Sequence, residues 1–405
     1  MEIVKNLVMG IGTSFNIDSI PLEDRHAVLG GDCTLESIAA FIKEGRAKNI
    51  VVVMGAGASV SAGIPDFRTP GTGLYDNLGK YDLPTPESIF DLGFFKKNPA
   101  PFYTLAREIF PGTGEYSPTP THRFLVLLQE KGLLRRVYTQ NIDGLERLAG
   151  LDDDKVVQAH GGFNSGHCIR CNHEVDAEWL KTEIFEERTP VMCPKCSEIP
   201  DVPSESRSEP QPQPGEDDSD QEEEPNPSFI KPRITFFGEN LPPRFFECKK
   251  QDLKTEEDGR TDEEQKEHVE VQRALNKLNM QSRLGLDSEE NQIEVTRLSK
   301  KAESFAAEKE KKMKVSCPCD LMLVFGTSLK VQPVASLPDE LTPLVPRVLF
   351  NREPVHVEPP HNEYKRGGES GFRFNLEDNY RDVFVQGDTD DGVRKFASLL
   401  DWKLD

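Results

Sequence analysis

Short apolar runs of three to five residues recur along this chain, and each stops abruptly at a glycine or a small polar residue. Val51–Met54, Arg136–Thr139, Val156–Ala159, Leu321–Phe325, Val348–Phe350 and Val383–Val385 are of this kind. Most lack the in–out alternation of a half-exposed strand, so they read as strands buried on both faces, as in a parallel sheet. Helical spacing of apolar positions marks Thr34–Glu44 and Thr121–Glu130. Strands alternating with helices predict an α/β fold, a doubly wound parallel sheet of the dinucleotide-binding type.

Polar composition breaks this pattern twice. Residues 201–228 hold ten acids and one base, Arg207, with almost no apolar side chains, and are expected to be disordered. Thr255–Lys314 is dense in Glu, Lys and Gln and reads as one or two charged helices. The expected organisation is a leader over 1–34, a first part of the dinucleotide-binding domain over 35–160, and a small cysteine-bearing module over 161–200. The acidic insert 201–228, a returning strand region 229–254, the charged insert 255–314 and the rest of the main domain, 315–405, follow.

With 405 residues and a formal charge of −21, the chain can bury a sizeable core but is poorly suited to nucleic acid, which needs clustered Lys and Arg to displace counterions. No apolar run approaches a membrane span, and the N-terminal stretch has neither signal-peptide nor presequence character. A cytoplasmic protein with nuclear access is therefore expected. Cysteines spaced in pairs, with no signal peptide, favour metal ligation over disulfides.

The chemistry starts where the first strand ends. Gly55 and Gly57 allow a sharp turn and a close approach to a pyrophosphate. The stretch departs from GxGxxG, because Val60 stands where the third glycine would be, and no Gly-Lys-Ser/Thr follows. It runs instead into Pro65-Asp66-Phe67-Arg68, which places an acid, an aromatic and a cation beside the bound phosphates. Such groups suit a dinucleotide that is cleaved better than one that is only held. The other strands end in Gln140-Asn141-Ile142-Asp143, Ala159-His160-Gly161, Gly326-Thr327-Ser328 and Asn351-Arg352-Glu353. In an open parallel sheet the carboxyl ends line the ligand crevice. His160, at such an end, has the chemistry of a general base near neutral pH.

Cys168-x-x-Cys171 and Cys193-x-x-Cys196, separated by 21 residues, have the form of a four-thiolate zinc site. All four positions are thiolates, so the metal is expected to be structural. Cys317-Pro-Cys319 reads as two ordinary thiols. Ile234–Glu239 has two readings: a strand with core phenylalanines, or an edge that pairs with an extended peptide.

The strings GAGASVSAGIPDFR, YTQNIDGLERLAG, QAHGGF, FFGENLP and GTSLKVQPVASL, with the four cysteines, resemble the sirtuin signature set in order. TGLYDNLGKY, LPPRFFEC and YRDV are most similar to its sirtuin two subgroup. The resemblance implies a Rossmann-like domain with a smaller zinc module, NAD as co-substrate and structural zinc. The implied activity is NAD-dependent removal of acyl groups from protein lysines, histone or cytoskeletal proteins being conceivable substrates. It implies that Ala56, Gly57, Ala58, Ser59 and Val60 line the NAD loop, and that Asp66, Phe67 and Arg68 surround the nicotinamide ribose and phosphates. Gln140, Asn141, Ile142 and Asp143 would contact ribose and nicotinamide, and Thr327, Ser328, Asn351, Arg352, Glu353 and Thr389 the adenosine half. His160, with Asn141, would be catalytic. Phe163, Thr235, Phe237, Gly238 and Glu239 would receive the acyl-lysine peptide. The chain departs from the subgroup at Ala58, Val60, Gly144, Gly162, Asn164, Arg233 and Thr389, none of which removes a group the chemistry needs. A hydride-transfer dehydrogenase, a catalytically weak binding protein and a mono-ADP-ribosyltransferase are the competing functions.

Overall fold

A computed structural model describes residues 20–66, 78, 83–111, 116–197, 227–253, 271, 293–301, 318–357 and 371–404. Phe67, Arg68, Cys317, nearly all of the acidic insert and most of the charged insert lie outside the described residues; residues 293–301 of the latter are helical.

The six expected strands all form, as β1 (Ile50–Met54), β2 (Leu134–Thr139), β3 (Val156–Gln158), β7 (Leu321–Phe325), β8 (Arg347–Asn351) and β9 (Asp382–Gln386). They make one sheet in the order β3-β2-β1-β7-β8-β9. Counted within that sheet the order is 3-2-1-4-5-6, the doubly wound arrangement, and it reverses beside β1. β7 and β8 run parallel with Val324 opposite Leu349, and β8 and β9 run parallel with Leu349 opposite Phe384. Every residue of β1 and of β7 is buried, which accounts for their unbroken apolar sequence.

A second, antiparallel sheet was not expected. It consists of β4 (Gly161–Cys168), β5 (Glu174–Asp176) and β6 (Ile230–Ile234), in the order β5-β4-β6. The glycines of β4 read as loop, but they are what lets the sheet close. Gly161 has φ +66°, and a Cβ there would meet the Arg233 carbonyl oxygen at 1.8 Å. β6 therefore approaches the β4 backbone more closely than any side chain permits.

The chain divides into two compact units, and each is made of separated stretches. The first unit comprises Met1–Val53, Leu127–Val137 and Phe246–Asp405, and contains β7, β8, β9 and the C-terminal helix Thr389–Leu399. Its helix α2 (Leu35–Lys43) begins where the sequence places it, because Thr34 caps it: the Thr34 hydroxyl accepts from the Ser37 amide and the Ser37 hydroxyl accepts from the Thr34 amide. α1 (Leu22–Leu29) precedes it within the stretch expected as leader. The second unit comprises Met54–Val126 and Tyr138–Phe245. Its core is aromatic: Phe236 lies 4.9 Å from Phe102 and 5.5 Å from Phe95, ring centre to ring centre, and Tyr103 donates to the Ile230 carbonyl at 2.6 Å.

Within the first unit a buried ion pair joins β8 to β9. Arg347 donates from Nε and Nη2 to the two carboxylate oxygens of Asp382, at 2.7 and 2.6 Å, and from Nη1 to the Pro338 carbonyl at 2.9 Å. Asp382 also accepts from the Arg373 amide at 2.9 Å. Burial alone would raise the Asp382 carboxyl, but the Arg347 charge and its hydrogen bonds hold it below the usual range. A depressed carboxyl contributes stability above its unfolded pKa, and that contribution is lost as pH falls through the folded value. Asp382→Asn is therefore expected to cost about 3–5 kcal/mol, since buried Arg347 would lose its two-pronged partner and keep only the Asp339 carboxylate, 3.6 Å away. Urea unfolding at pH 7 and pH 3 measures this: the difference between wild type and variant should shrink at the lower pH, and an equal difference at both would contradict it.

Candidate active site

Met54 closes β1, and the next residues wind into two 3-10 turns, Ala56–Ala58 and Val60–Ala62. Gly63, at φ +92°, ends the second turn. Short turns of this kind leave peptide N–H groups without internal partners, as a phosphate-binding loop requires. Two side chains from the segment after β2 fasten this loop. The Ser59 hydroxyl donates to Asp143 Oδ2 at 2.7 Å. The Asn141 amide donates to the Gly55 carbonyl and to Ser59 Oγ, both at 3.2 Å. Asp143 is itself held by the Leu145 amide at 2.9 Å, and the Gln140 amide donates to the Met54 carbonyl at 2.8 Å. Ser59 and Asn141 are almost fully buried, so each of these bonds replaces water that cannot enter.

His160 follows β3, and its Nδ1 lies 3.0 Å from the Gln140 carbonyl. That contact orients the ring and leaves Nε2 with no hydrogen-bond partner. Burial lowers the His160 pKa, with the Gln140 carbonyl pulling weakly the other way. The imidazole is therefore neutral at pH 7, with a free lone pair, which is the state a general base needs. The Thr235 amide donates to the His160 carbonyl at 2.8 Å, bringing the segment after β6 alongside.

In that segment the two phenylalanines separate. Phe236 is 1% exposed and belongs to the aromatic core, whereas Phe237 is 42% exposed. The strand ends at Ile234, and the main chain of Phe237 instead exchanges hydrogen bonds with Phe90 and Leu92. Gly238 turns the chain at φ +93°, and Glu239 folds back to accept from Lys231 Nζ at 2.9 Å and from the Phe236 amide at 2.7 Å. Lys231 also donates to the Ile234 carbonyl at 2.6 Å, so this buried cation and Glu239 set the shape of the loop. Phe163 is buried against Phe110, 4.6 Å away. Two of the departures from the subgroup meet here: Asn164 donates to the Gln158 side chain at 2.7 Å, and a Cβ at Gly162 would crowd that same Gln158 at 3.1 Å.

The first unit carries the remaining expected residues. Thr327 and Ser328 follow β7, Asn351 ends β8 and Thr389 opens the C-terminal helix just after β9. They thus lie at the carboxyl ends of three adjacent strands. Thr327 is buried and accepts from the Leu329 amide at 3.2 Å; Asn351 donates to the Glu353 carbonyl at 2.8 Å; Arg352 pairs with Asp388.

The four paired cysteines come together in the second unit. Cys168 Sγ lies 3.9 Å from Cys196 Sγ, and Cys171 Sγ lies 3.7 Å from Cys193 Sγ. Tetrahedral thiolates about 2.3 Å from a zinc ion stand about 3.8 Å apart, and a disulfide would need about 2.05 Å. The Arg170 and Cys171 amides both point at Cys168 Sγ at 3.4 Å, the donors expected around a thiolate. The donor set fits structural zinc.

A model of the Sir2 family matches residues 55–258. That span holds the loop after β1, His160 and all four cysteines. The chain belongs to the Sir2 family. Among curated proteins, this sirtuin is 36% identical over 375 residues to NAD-dependent protein deacetylase sirtuin-2 of Danio rerio, covering 92% of its own length and 73% of that protein. It is 34% identical over 368 residues to NAD-dependent protein deacetylase hst2 of Schizosaccharomyces pombe, covering 91% and 76% of the two chains. Against NAD-dependent protein deacetylase sirtuin-3 of Mus musculus the identity is 33% over 369 residues, covering 91% and 77%. The expected fold and family thus hold. Reading the sequence overlooked His122, Glu146 and Lys231. Each is polar yet almost fully buried in this sirtuin, and the only trace in sequence is a charged or polar residue set among apolar ones.

Removing one zinc ligand tests the module. Cys193→Ala is expected to lower zinc content from one ion per chain towards zero and to unfold the module, because structural zinc supplies folding free energy directly. Elemental analysis with near-ultraviolet circular dichroism would show both; a folded, fully active and zinc-free protein would contradict the assignment.

Proposed function

We propose that this chain is an NAD-dependent protein-lysine deacetylase. The observation that carries the proposal is His160: neutral, oriented through Nδ1 by the Gln140 carbonyl, free at Nε2, and joined through the main chain to the segment bearing Phe237. Family membership and the names of the relatives support it.

Bound NAD would supply a nicotinamide–ribose bond that breaks as the weakly nucleophilic acyl oxygen attacks the ribose carbon, and water would add to the acyl carbon and release the amine, so that acetyl-lysine, NAD and water give lysine, nicotinamide and O-acetyl-ADP-ribose. The protein's contribution is largely positioning. Ser59, Asn141 and Asp143 hold the loop, and the sirtuin likeness assigns Gln140, Asn141, Ile142 and Asp143 to the ribose and nicotinamide. His160 Nε2 accepts the proton of a ribose hydroxyl as that hydroxyl attacks the acyl carbon. The sirtuin likeness assigns Asp66, Phe67 and Arg68 to the nicotinamide end of NAD, and Thr327, Ser328, Asn351, Arg352, Glu353 and Thr389 to its adenosine end. Phe237 and Gly238 present the exposed edge on which an acylated peptide lies, with Phe163, Thr235 and Glu239 behind it. Histone or cytoskeletal substrates, and a cytoplasmic site of action with nuclear access, belong to the proposal through the sirtuin two likeness. Hydride transfer is disfavoured by the loop sequence, where Val60 replaces the third glycine.

Nicotinamide release from NAD should require an acylated lysine peptide, and His160→Ala should slow formation of O-acetyl-ADP-ribose by about 10²–10⁴-fold with NAD binding retained. Because His160 titrates below the usual imidazole range, wild-type kcat should hold its value down to a lower pH than an unperturbed histidine allows. Mass spectrometry of the products with a panel of acylated peptides measures the first. Peptide-independent NAD turnover, or unaltered formation of O-acetyl-ADP-ribose in His160→Ala, would overturn the proposal.

A further inference from the structure

Beneath the Ser59–Asp143 contact lies a group that nothing above has used. The side chains of His122, Asp143 and Glu146 approach one another so closely that one polar atom from each lies within 4.8 Å of the others. His122 comes from α5 (Pro120–Glu130), Asp143 from the segment after β2, and Glu146 from α6 (Leu145–Ala149). His122 and Glu146 are fully buried. Thr119 fixes the imidazole: its hydroxyl is 2.8 Å from His122 Nδ1 and donates to the Ala58 carbonyl at 3.0 Å, so the histidine is tied to the NAD loop as well.

Two carboxyl groups this close, one of them fully buried, cannot both be ionised cheaply. Their surroundings decide which keeps the proton. Asp143 accepts from the Ser59 hydroxyl and the Leu145 amide, donors that favour its anion. Neither carboxyl oxygen of Glu146 meets a donor in good hydrogen-bond geometry, and the Thr139 hydroxyl acts on it only weakly. A fully buried carboxylate with such poor donors is the costlier of the two, so the proton belongs on Glu146.

We propose that Glu146, in its protonated form, is a positioning residue for NAD: with His122 it packs beneath Asp143 and keeps that carboxylate aimed at Ser59 and the NAD loop. Ionisation of Glu146 sets a second negative charge against Asp143, drives the two apart and loosens the loop. The proposal rests on the reading of this site as one that binds NAD. The charged groups facing Glu146 are Asp143 and, on its own helix, Arg147, together with the His122 imidazole from α5. Burial, followed by the Asp143 charge, pushes the Glu146 carboxyl up to about 8, against weaker pulls from Thr139 and Arg147. Its ionisation therefore falls just above neutral pH. The sign is clear: a carboxyl raised in the folded state is favourable at low pH, and loses that advantage as pH rises through the folded value.

Glu146→Gln keeps the shape and the neutral charge but cannot ionise. The test measures KM for NAD and kcat for full-length wild type and Glu146→Gln, from pH 6 to 9.5, with an acetylated peptide, and NAD binding alone by calorimetry over the same range. In wild type, KM for NAD and the calorimetric Kd should rise about 10-fold between pH 7 and 9, as one ionisation near 8 dictates, while kcat changes less. In Glu146→Gln that rise should vanish, with KM at pH 7 within about threefold of wild type. Glu146→Ala should raise KM at pH 7 by about 10-fold or more; if it unfolds, the glutamine variant still decides. A wild-type rise that persists in Glu146→Gln would overturn the proposal. So would a rise that moves on adding zinc or EDTA, since a cation would then be what the three residues share. The calorimetric arm needs no turnover. A pH dependence of NAD binding that Glu146→Gln removes, without nicotinamide release at any pH, would sink the deacetylase reading and leave this one standing.

Discussion

The hydrogen bond from Ser59 to Asp143 is the contact on which the candidate site depends. The loop after β1 has almost no regular structure of its own, only two short 3-10 turns. Its shape is imposed from outside, by the Asn141 amide and the Asp143 carboxylate. Both come from the segment that also supplies the Gln140 carbonyl to His160. One stretch of four residues therefore positions the loop and the imidazole together. The Ser59 hydroxyl is deeply buried, and its 2.7 Å bond to the Asp143 carboxyl is short, as hydrogen bonds to carboxyl oxygens are.

The two units solve the problem of buried polarity differently. In the first, Arg347 and Asp382 are both ionised and are matched by a two-pronged geometry with further donors and acceptors around them. The neighbouring Arg381 feels the cost of that arrangement: burial and the Arg347 charge lower its pKa to about 10. In the second unit, Lys231 is satisfied by two carbonyls and one carboxylate, and its ammonium group sits 4.3 Å from the centre of the Phe236 ring. The cation thereby stiffens the turn that exposes Phe237. Four thiolate positions tie the ends of the small sheet together, and two of them, Cys168 and Cys193, belong to the same buried cluster as Leu180, Ile184 and Ile230.

Much of this was legible in the sequence, for identifiable reasons. A strand buried on both faces must be apolar throughout, and a chain leaving it for a ligand must turn on small or polar residues; β1 and β7 satisfy both conditions, so they and their site residues could be read directly. β4 could not. Its glycines weaken any strand signal, and only the close approach of β6 to Gly161 explains them. The two phenylalanines at 236 and 237 look alike in sequence, and it is their side of the chain that separates core from surface. Glu146 was invisible because Leu145–Ala149 reads as an ordinary exposed turn of helix; nothing local announces that its carboxyl faces Asp143 and His122 and not water.

Two of the four boundaries between the units fall inside strands, after Val53 and after Val137, and two inside helices, after Val126 and after Phe245. Neither unit is a continuous stretch of chain, and this has a consequence for the growing polypeptide. As the ribosome delivers β1, its neighbour on one side, β2, follows at Leu134, but its neighbour on the other side, β7, arrives only after residue 320, with β8 and β9 behind it. The second unit has all of its residues by Phe245, so it can close on itself while the first still waits. β1 is thus made early, whereas the sheet it sits in is completed only when β9 has been made. An apolar strand such as Ile50–Met54 must be shielded through that interval, which makes it the segment most exposed to mispairing before the C-terminal third emerges.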